Sequence, residues 1–195
     1  MANALKQPVA GDEQWVLAAL QGDVPAFGRL VERHWSMVFA LALSRVKDPT
    51  EAEDIAQESF LKAYAKLGSL RDPSRFPGWL SKITLQQCAN AARKGVRRRA
   101  VLGSQATALT DVAALPARSS NPGLTDAQIQ FVRETVGRLP ERFQRLVIMR
   151  FMGELSAVQI AEQLGKRPGT VRVWLHRAYK ILRKDLAPLL EEVKS

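Results

Sequence analysis

The sequence predicts an all-α protein: two helical domains joined by a flexible linker, with a helix-turn-helix in the C-terminal domain. Three observations predict it. Apolar residues recur at helical spacing almost throughout and nowhere alternate as they would along a strand. The periodicity lapses once, across the Ala/Ser/Thr/Pro-rich stretch Ala100–Leu124. The excess of basic residues falls in two separate blocks on either side of that lapse. The expected boundaries are therefore 1–99, a linker at 100–124, and 125–195.

Each element has a local reason. Phe27, Leu30, Val31, His34, Val38 and Leu41 share one helical face. A second helix opens at Asp48-Pro49-Thr50, where Thr50 and Glu53 have capping-box spacing, and Ile55, Phe60, Leu61 and Tyr64 follow. Leu67 to Pro77 is rich in turn formers. A third helix runs from about Gly78 through Trp79, Leu80, Ile83 and Ala91 into the cluster Arg93–Arg99. The linker has no aromatic residue, and fully extended it reaches at most about 85–95 Å, roughly 25 base pairs of duplex. Helicity resumes behind an N-cap at Thr125. Another helix follows Pro140 with Phe143, Leu146, Val147 and Met149, then a short one from Ser156 and a longer one from about Pro168.

Ser156 to Leu182 has the layout of a helix-turn-helix. Ser156 and Gln159 form a capping box, Ile160 and Leu164 face inward, and Ala161 permits close helix approach. Gly165 suits a turn needing positive φ, and Pro168 suits a helix start. Val171, Leu175, Ala178 and Leu182 form the inner face of the second helix, opposite Arg172, His176, Tyr179 and Arg183. A DNA major groove admits such a helix, with surrounding cations on phosphates.

Charge narrows the function. The 195 residues carry 29 Lys+Arg against 19 Asp+Glu, net +10, which points to a polyanion. Residues 1–92 are neutral, 93–125 carry +5, and 126–195 carry +5. Five of the seven positions Arg93–Arg99 are basic, more than a helix C-terminus needs to complement its dipole, so they read as phosphate contacts. Glu51, Glu53, Asp54 and Glu58 either complement a helix N-terminus or form a docking patch for a basic protein surface; spacing leaves both open. Phe76, at the edge of the turn-rich loop, is expected to be more open than Trp79 and able to stack on a base. Trp15, Trp35, Trp79 and Trp174 are expected in the core or at interfaces, His34 packed and Cys88 buried.

Several classes drop out. The longest apolar run, Met37 to Leu43, is too short to span a bilayer, and the N-terminus has no signal-peptide pattern. One cysteine and two distant histidines make neither a disulfide nor a zinc site, so no metal is expected and the chain reads as cytoplasmic. No catalytic cluster or phosphate-binding glycine loop is present, so neither an enzyme with a small-molecule substrate nor a cofactor is expected. No helix pairs a clean basic face with large exposed apolar residues, which argues against membrane binding.

Ala52-Glu53-Asp54-Ile55-Ala56-Gln57-Glu58-Ser59-Phe60-Leu61-Lys62-Ala63-Tyr64 resembles the helix by which bacterial sigma factors bind RNA polymerase. Phe76-Pro77-Gly78-Trp79-Leu80 with Ile83 resembles the next helix of that domain. Leu139-Pro140, Gly165, Gly169-Thr170-Val171-Arg172 and Leu175-His176-Arg177-Ala178 resemble the promoter-reading C-terminal domain. The likeness runs from roughly Phe27 to Leu186, outside the linker, and points to the extracytoplasmic-function (group four) class. It implies that Glu53, Asp54, Gln57 and Glu58 dock core RNA polymerase. The loop Gly68 to Phe76 would capture a flipped −10 base, with Arg93, Lys94, Arg97 and Arg98 on adjacent phosphates. Arg150, Arg172, Val173, His176 and Arg177 would read or grip the −35 element of promoter DNA. An anti-sigma factor is the further partner the class implies. The chain departs from the family at Gln86, Asn90, Gln159 and Trp174, and in its nearly neutral linker. The competing reading is a two-domain helix-turn-helix regulator that acts without polymerase docking.

Overall fold

The computed structural model describes residues 11–102 and 125–192, with the side chains of 95–102 and 190–192 excepted. Helices are its only regular elements among the described residues. The N-terminal domain comprises α1 (Asp12–Leu20), α2 (Val24–Val46), α3 (Pro49–Lys66) and α4 (Phe76–Leu102). The C-terminal domain comprises α5 (Asp126–Gly137), α6 (Glu141–Phe151), α7 (Ala157–Leu164), α8 (Pro168–Asp185) and α9 (Ala187–Glu192).

Helix α2 is the spine of the first domain. Its unbroken apolar run, Met37 to Leu43, is buried all round because α3 and α4 pack on one side and α6 of the second domain on another. Asp23 caps its start by accepting from Ala26 N at 3.1 Å. Lys47 ends it in the left-handed conformation, φ 62°. Helix α3 is capped by Asp48, which accepts from Glu51 N at 2.8 Å, with Pro49 as its first residue. Thr50 therefore lies inside the first turn, and the capping box expected at Thr50 and Glu53 is not the one used. Helices α1 and α9 have no counterpart in the periodicity. Both are short, and α1 buries only Val16 and Ala19.

Helix α4 starts two residues before the expected Gly78 and continues to Leu102, three residues into the expected linker. Residues 103–124, the rest of that linker, lie outside the described residues. In the second domain the capping box expected at Ser156 and Gln159 forms, and Thr125, expected as an N-cap, makes a capping box with Gln128. Gly165 takes φ 61° at the turn.

The two domains pack against each other, α6 on α2 and α7 on the start of α4. Arg45 Nη1 donates to Glu141 Oε1 at 2.6 Å, Lys47 Nζ to Gln144 Oε1 at 3.1 Å, and Arg75 Nη1 to Glu162 Oε1 at 3.1 Å. Leu155, 2% exposed, fills the seam beside Gly78. Gly153 lies so close to Met37 that a Cβ there would sit 2.7 Å from Met37 Sδ. Glycine at this point is a packing requirement rather than a turn requirement.

Candidate nucleic-acid interface

The acidic face follows from the helical repeat of α3. Ala52, Ile55, Ala56, Ser59 and Phe60 are buried, which leaves Glu53, Asp54, Gln57 and Glu58 exposed along one side. Between α3 and α4 runs a groove of about 720 Å³. Its α3 wall carries Asp54 and Glu58 and its α4 wall Arg93 and Lys94, so two opposite charge zones meet along one surface.

The loop before α4 is internally braced. Asp72 caps the short turn Pro73–Arg75, accepting from Ser74 N at 3.0 Å and Ser74 Oγ at 2.6 Å. The Ser74 hydrogen bonds, helped by nearby Arg75, hold the Asp72 carboxyl below its ordinary range. Gly68, Ser69, Arg71, Asp72, Ser74 and Arg75 are exposed.

Phe76 requires a correction. It is fully buried, its ring centroid 5.5 Å from that of His34 and 6.0 Å from that of Trp79. As the first residue of α4 it begins the inward stripe Phe76, Leu80, Thr84, Cys88, each four residues after the last. The stripe that continues into the core decides its direction, so Phe76 supports the loop from beneath and is not presented to a base. Arg93 and Lys94 lie exposed further along α4. Arg97 and Arg98 fall within the same helix, but their side chains lie outside the described residues.

In the second domain Val171, Leu175, Ala178 and Leu182 are buried, and Arg172, Val173, His176 and Arg177 are exposed on α8. Arg150 is exposed at the end of α6, where its Nη1 donates to Leu155 O at 3.1 Å. One edge of that guanidinium thus braces the turn into α7. Phe151, 64% exposed, meets Tyr179 edge to face at 5.8 Å. Sequence reasoning missed this apolar edge because Phe151 continues the apolar pattern of α6.

The buried groups fit a structural role. His34 Nε2 and Asp12 Oδ2 are 2.8 Å apart. Burial pushes the Cys88 thiol up to about 11, with the cations Arg45 and Arg145 opposing the change. Among the described residues no group of three or more His, Cys, Asp or Glu side chains is placed to hold a metal ion. Nor is any described helix long and apolar enough to cross a membrane.

Known proteins resemble this chain in sequence and in fold. The sigma-70 region 2 family matches residues 30–98, and the sigma-70 region 4 family matches residues 132–182. The RNA polymerase sigma-H factor of Pseudomonas aeruginosa is 33% identical over 192 residues, covering 93% of this chain and 96% of that protein. The ECF RNA polymerase sigma-E factor of Haemophilus influenzae is 31% identical over 188 residues, covering 92% of this chain and 97% of that one. In fold, the chain resembles the sigma factor RpoE of Bartonella quintana, solved with the anti-sigma factor NepR. The TM-score is 0.62 at 24% identity, covering 90% of this chain and 96% of that one.

Proposed function

The chain belongs to the extracytoplasmic-function class of the sigma-70 family, and we propose the following division of labour for directing RNA polymerase to promoters. Residues 1–99 dock core polymerase through Glu53, Asp54, Gln57 and Glu58 and hold −10 DNA through the loop Gly68 to Arg75 with Arg93, Lys94, Arg97 and Arg98. Residues 125–195 place α8 in the major groove at the −35 element, where Arg172, Val173, His176 and Arg177 meet base edges and phosphates and Arg150 flanks them. Residues 100–124 tether the two readers, each of which gains from the effective concentration the other supplies. The work takes place in the cytoplasm, and an anti-sigma factor is the partner that restrains it.

The observation that carries this reading is the exposed acidic face of α3 beside the basic face of α4. A polymerase-independent regulator has no use for four exposed acidic or amide side chains next to its phosphate contacts. Run-off transcription tests the proposal, using bacterial core polymerase and the DNA immediately upstream of the chain's own gene. Core plus protein should initiate well above core alone, and alanine at Glu53 and Asp54 should remove the gain while free duplex binding persists. Initiation no better than core alone would sink the reading.

The packed domains add a constraint. Arg75 of the loop assigned to −10 DNA is held by Glu162 of α7, and α7 covers the first turn of α4. DNA and α7 therefore compete for that loop, and promoter engagement goes with separation of the two domains.

A further inference from the structure

The groove between α3 and α4 contains a continuous polar chain that neither docking nor DNA contact explains. Glu58 Oε1 lies 3.1 Å from Lys62 Nζ. The same ammonium donates to Gln87 Oε1 at 2.7 Å, bridging the two helices. That oxygen also accepts from Asn90 Nδ2 at 3.2 Å. Asn90 Oδ1 in turn accepts from Arg93 Nη2 at 2.9 Å, and Arg93 Nε donates to Ala89 O at 3.3 Å.

Donor and acceptor chemistry passes orientation along this chain. Gln87 is only 8% exposed, so its amide oxygen needs a partner. An ammonium can only donate, so Lys62 fixes which end of the Gln87 amide faces it. With that oxygen toward the groove, Asn90 must present its NH2 group, and its own oxygen turns to Arg93. A guanidinium held at both Nε and Nη2 has little rotamer freedom left to lose on meeting a phosphate.

We propose that Lys62, Gln87 and Asn90 are positioning residues that hold the Arg93 guanidinium ready for the promoter backbone, anchored on the polymerase-docking helix. This rests on the assignment of Arg93 to promoter phosphate. Helix α3 then serves both tasks: its outer acids face polymerase, while Lys62 sets the posture of a DNA contact on α4.

The test uses holoenzyme reconstituted from the full chain and bacterial core polymerase. The probe is the duplex immediately upstream of the chain's own gene, titrated across a range of salt concentrations. Gln87→Leu should weaken binding by roughly 3- to 10-fold, the worth of one pre-ordered side chain. It should also flatten the salt dependence toward that of Arg93→Ala, a change of up to about one in the log–log slope. In an Arg93→Ala background it should add nothing. Core affinity, measured on the same preparations, should be unchanged by Gln87→Leu. Lys62→Met should show the same non-additivity and Lys62→Arg should restore binding, which gives a second readout if Gln87→Leu folds poorly. Additive losses, or an Arg93→Ala effect with no Gln87→Leu or Lys62→Met effect, would overturn the positioning role alone. An Arg93→Ala variant that changes neither affinity nor salt slope would overturn the phosphate assignment beneath it.

Discussion

Gly153→Ala is the sharpest probe of the seam between the domains. An added Cβ would lie 2.7 Å from Met37 Sδ and 2.9 Å from Met149 O, against an ordinary contact of 3.4–4 Å. Met37 is 1% exposed and its sulfur already has Ser81 Oγ 3.6 Å away, so it cannot simply turn out to solvent. Met149 O is backbone and already accepts from Leu155 N at 3.1 Å, so it cannot yield without disturbing the turn that seats Leu155 in the seam. Overpacking of this kind costs about 1–3 kcal/mol. The seam's ion pairs are partly exposed and contribute only about 0–1 kcal/mol each, so its stability rests mainly on the apolar packing that this clash disturbs. At 1.4 kcal/mol per factor of ten, the ratio of packed to separated chains should fall by roughly 5- to 150-fold. Hydrogen exchange should therefore speed up in the middle of α2 and the first turn of α4. Gly78→Ala supplies the contrast. Its Cβ would meet only side-chain ends, Gln163 Nε2 at 3.3 Å and Leu155 Cδ2 at 3.7 Å, and it gains helix propensity, so it should be near neutral. If Gly153→Ala lowers the melting temperature yet leaves exchange in α2 and α4 unchanged, the strain stays within the C-terminal domain and the reasoning about the seam is wrong.

Other outcomes follow from single groups. Gly165→Ala places a side chain at φ 61° with open space around it, so the cost is purely conformational, about 1–2 kcal/mol in a denaturant melt, with Gly165→Asn milder. Ser156→Ala removes the acceptor 3.2 Å from Gln159 N and should cost about 0.5–2 kcal/mol of stability. The Cys88 thiol ionises near 9.0 when unfolded and near 11 when folded, so the unfolded chain loses its proton first as pH rises. The stabilisation is complete below pH 9 and is lost between about 9 and 11, by up to about 3 kcal/mol, and Cys88→Ala should flatten that decline. At neutral pH a thiol reagent should label Cys88 no faster than the chain unfolds; rapid labelling would contradict its burial.

How much was legible depended on the range of the interaction. The helix-turn-helix was, because each of its parts is local. Ser156 reaches three residues, Gly165 answers to its own φ, and the inner stripe of α8 repeats every three or four residues. The exposure of Glu53, Asp54, Gln57 and Glu58 was legible for the same reason, as the complement of a buried stripe on one helix. Local competition already blurred the start of α3, where Asp48 rather than Thr50 takes the cap. Phe76 was misjudged because a loop edge and a helix start are the same position in sequence, and only the core beneath α4 distinguishes them.

Local pattern was enough for two helical units, the caps at Thr125 and Ser156, the separation of acidic from basic surface and the family that uses them. Tertiary structure alone decided which distant residues meet. Lys62 finds Gln87 25 positions away, Arg75 finds Glu162 87 away, and Arg45 finds Glu141 96 away. None of these pairs leaves a mark in local periodicity. A helical repeat records only which face is buried, while the neighbour that buries it is chosen by shape, as at Gly153 against Met37, and by charges that come within reach once the helices have packed.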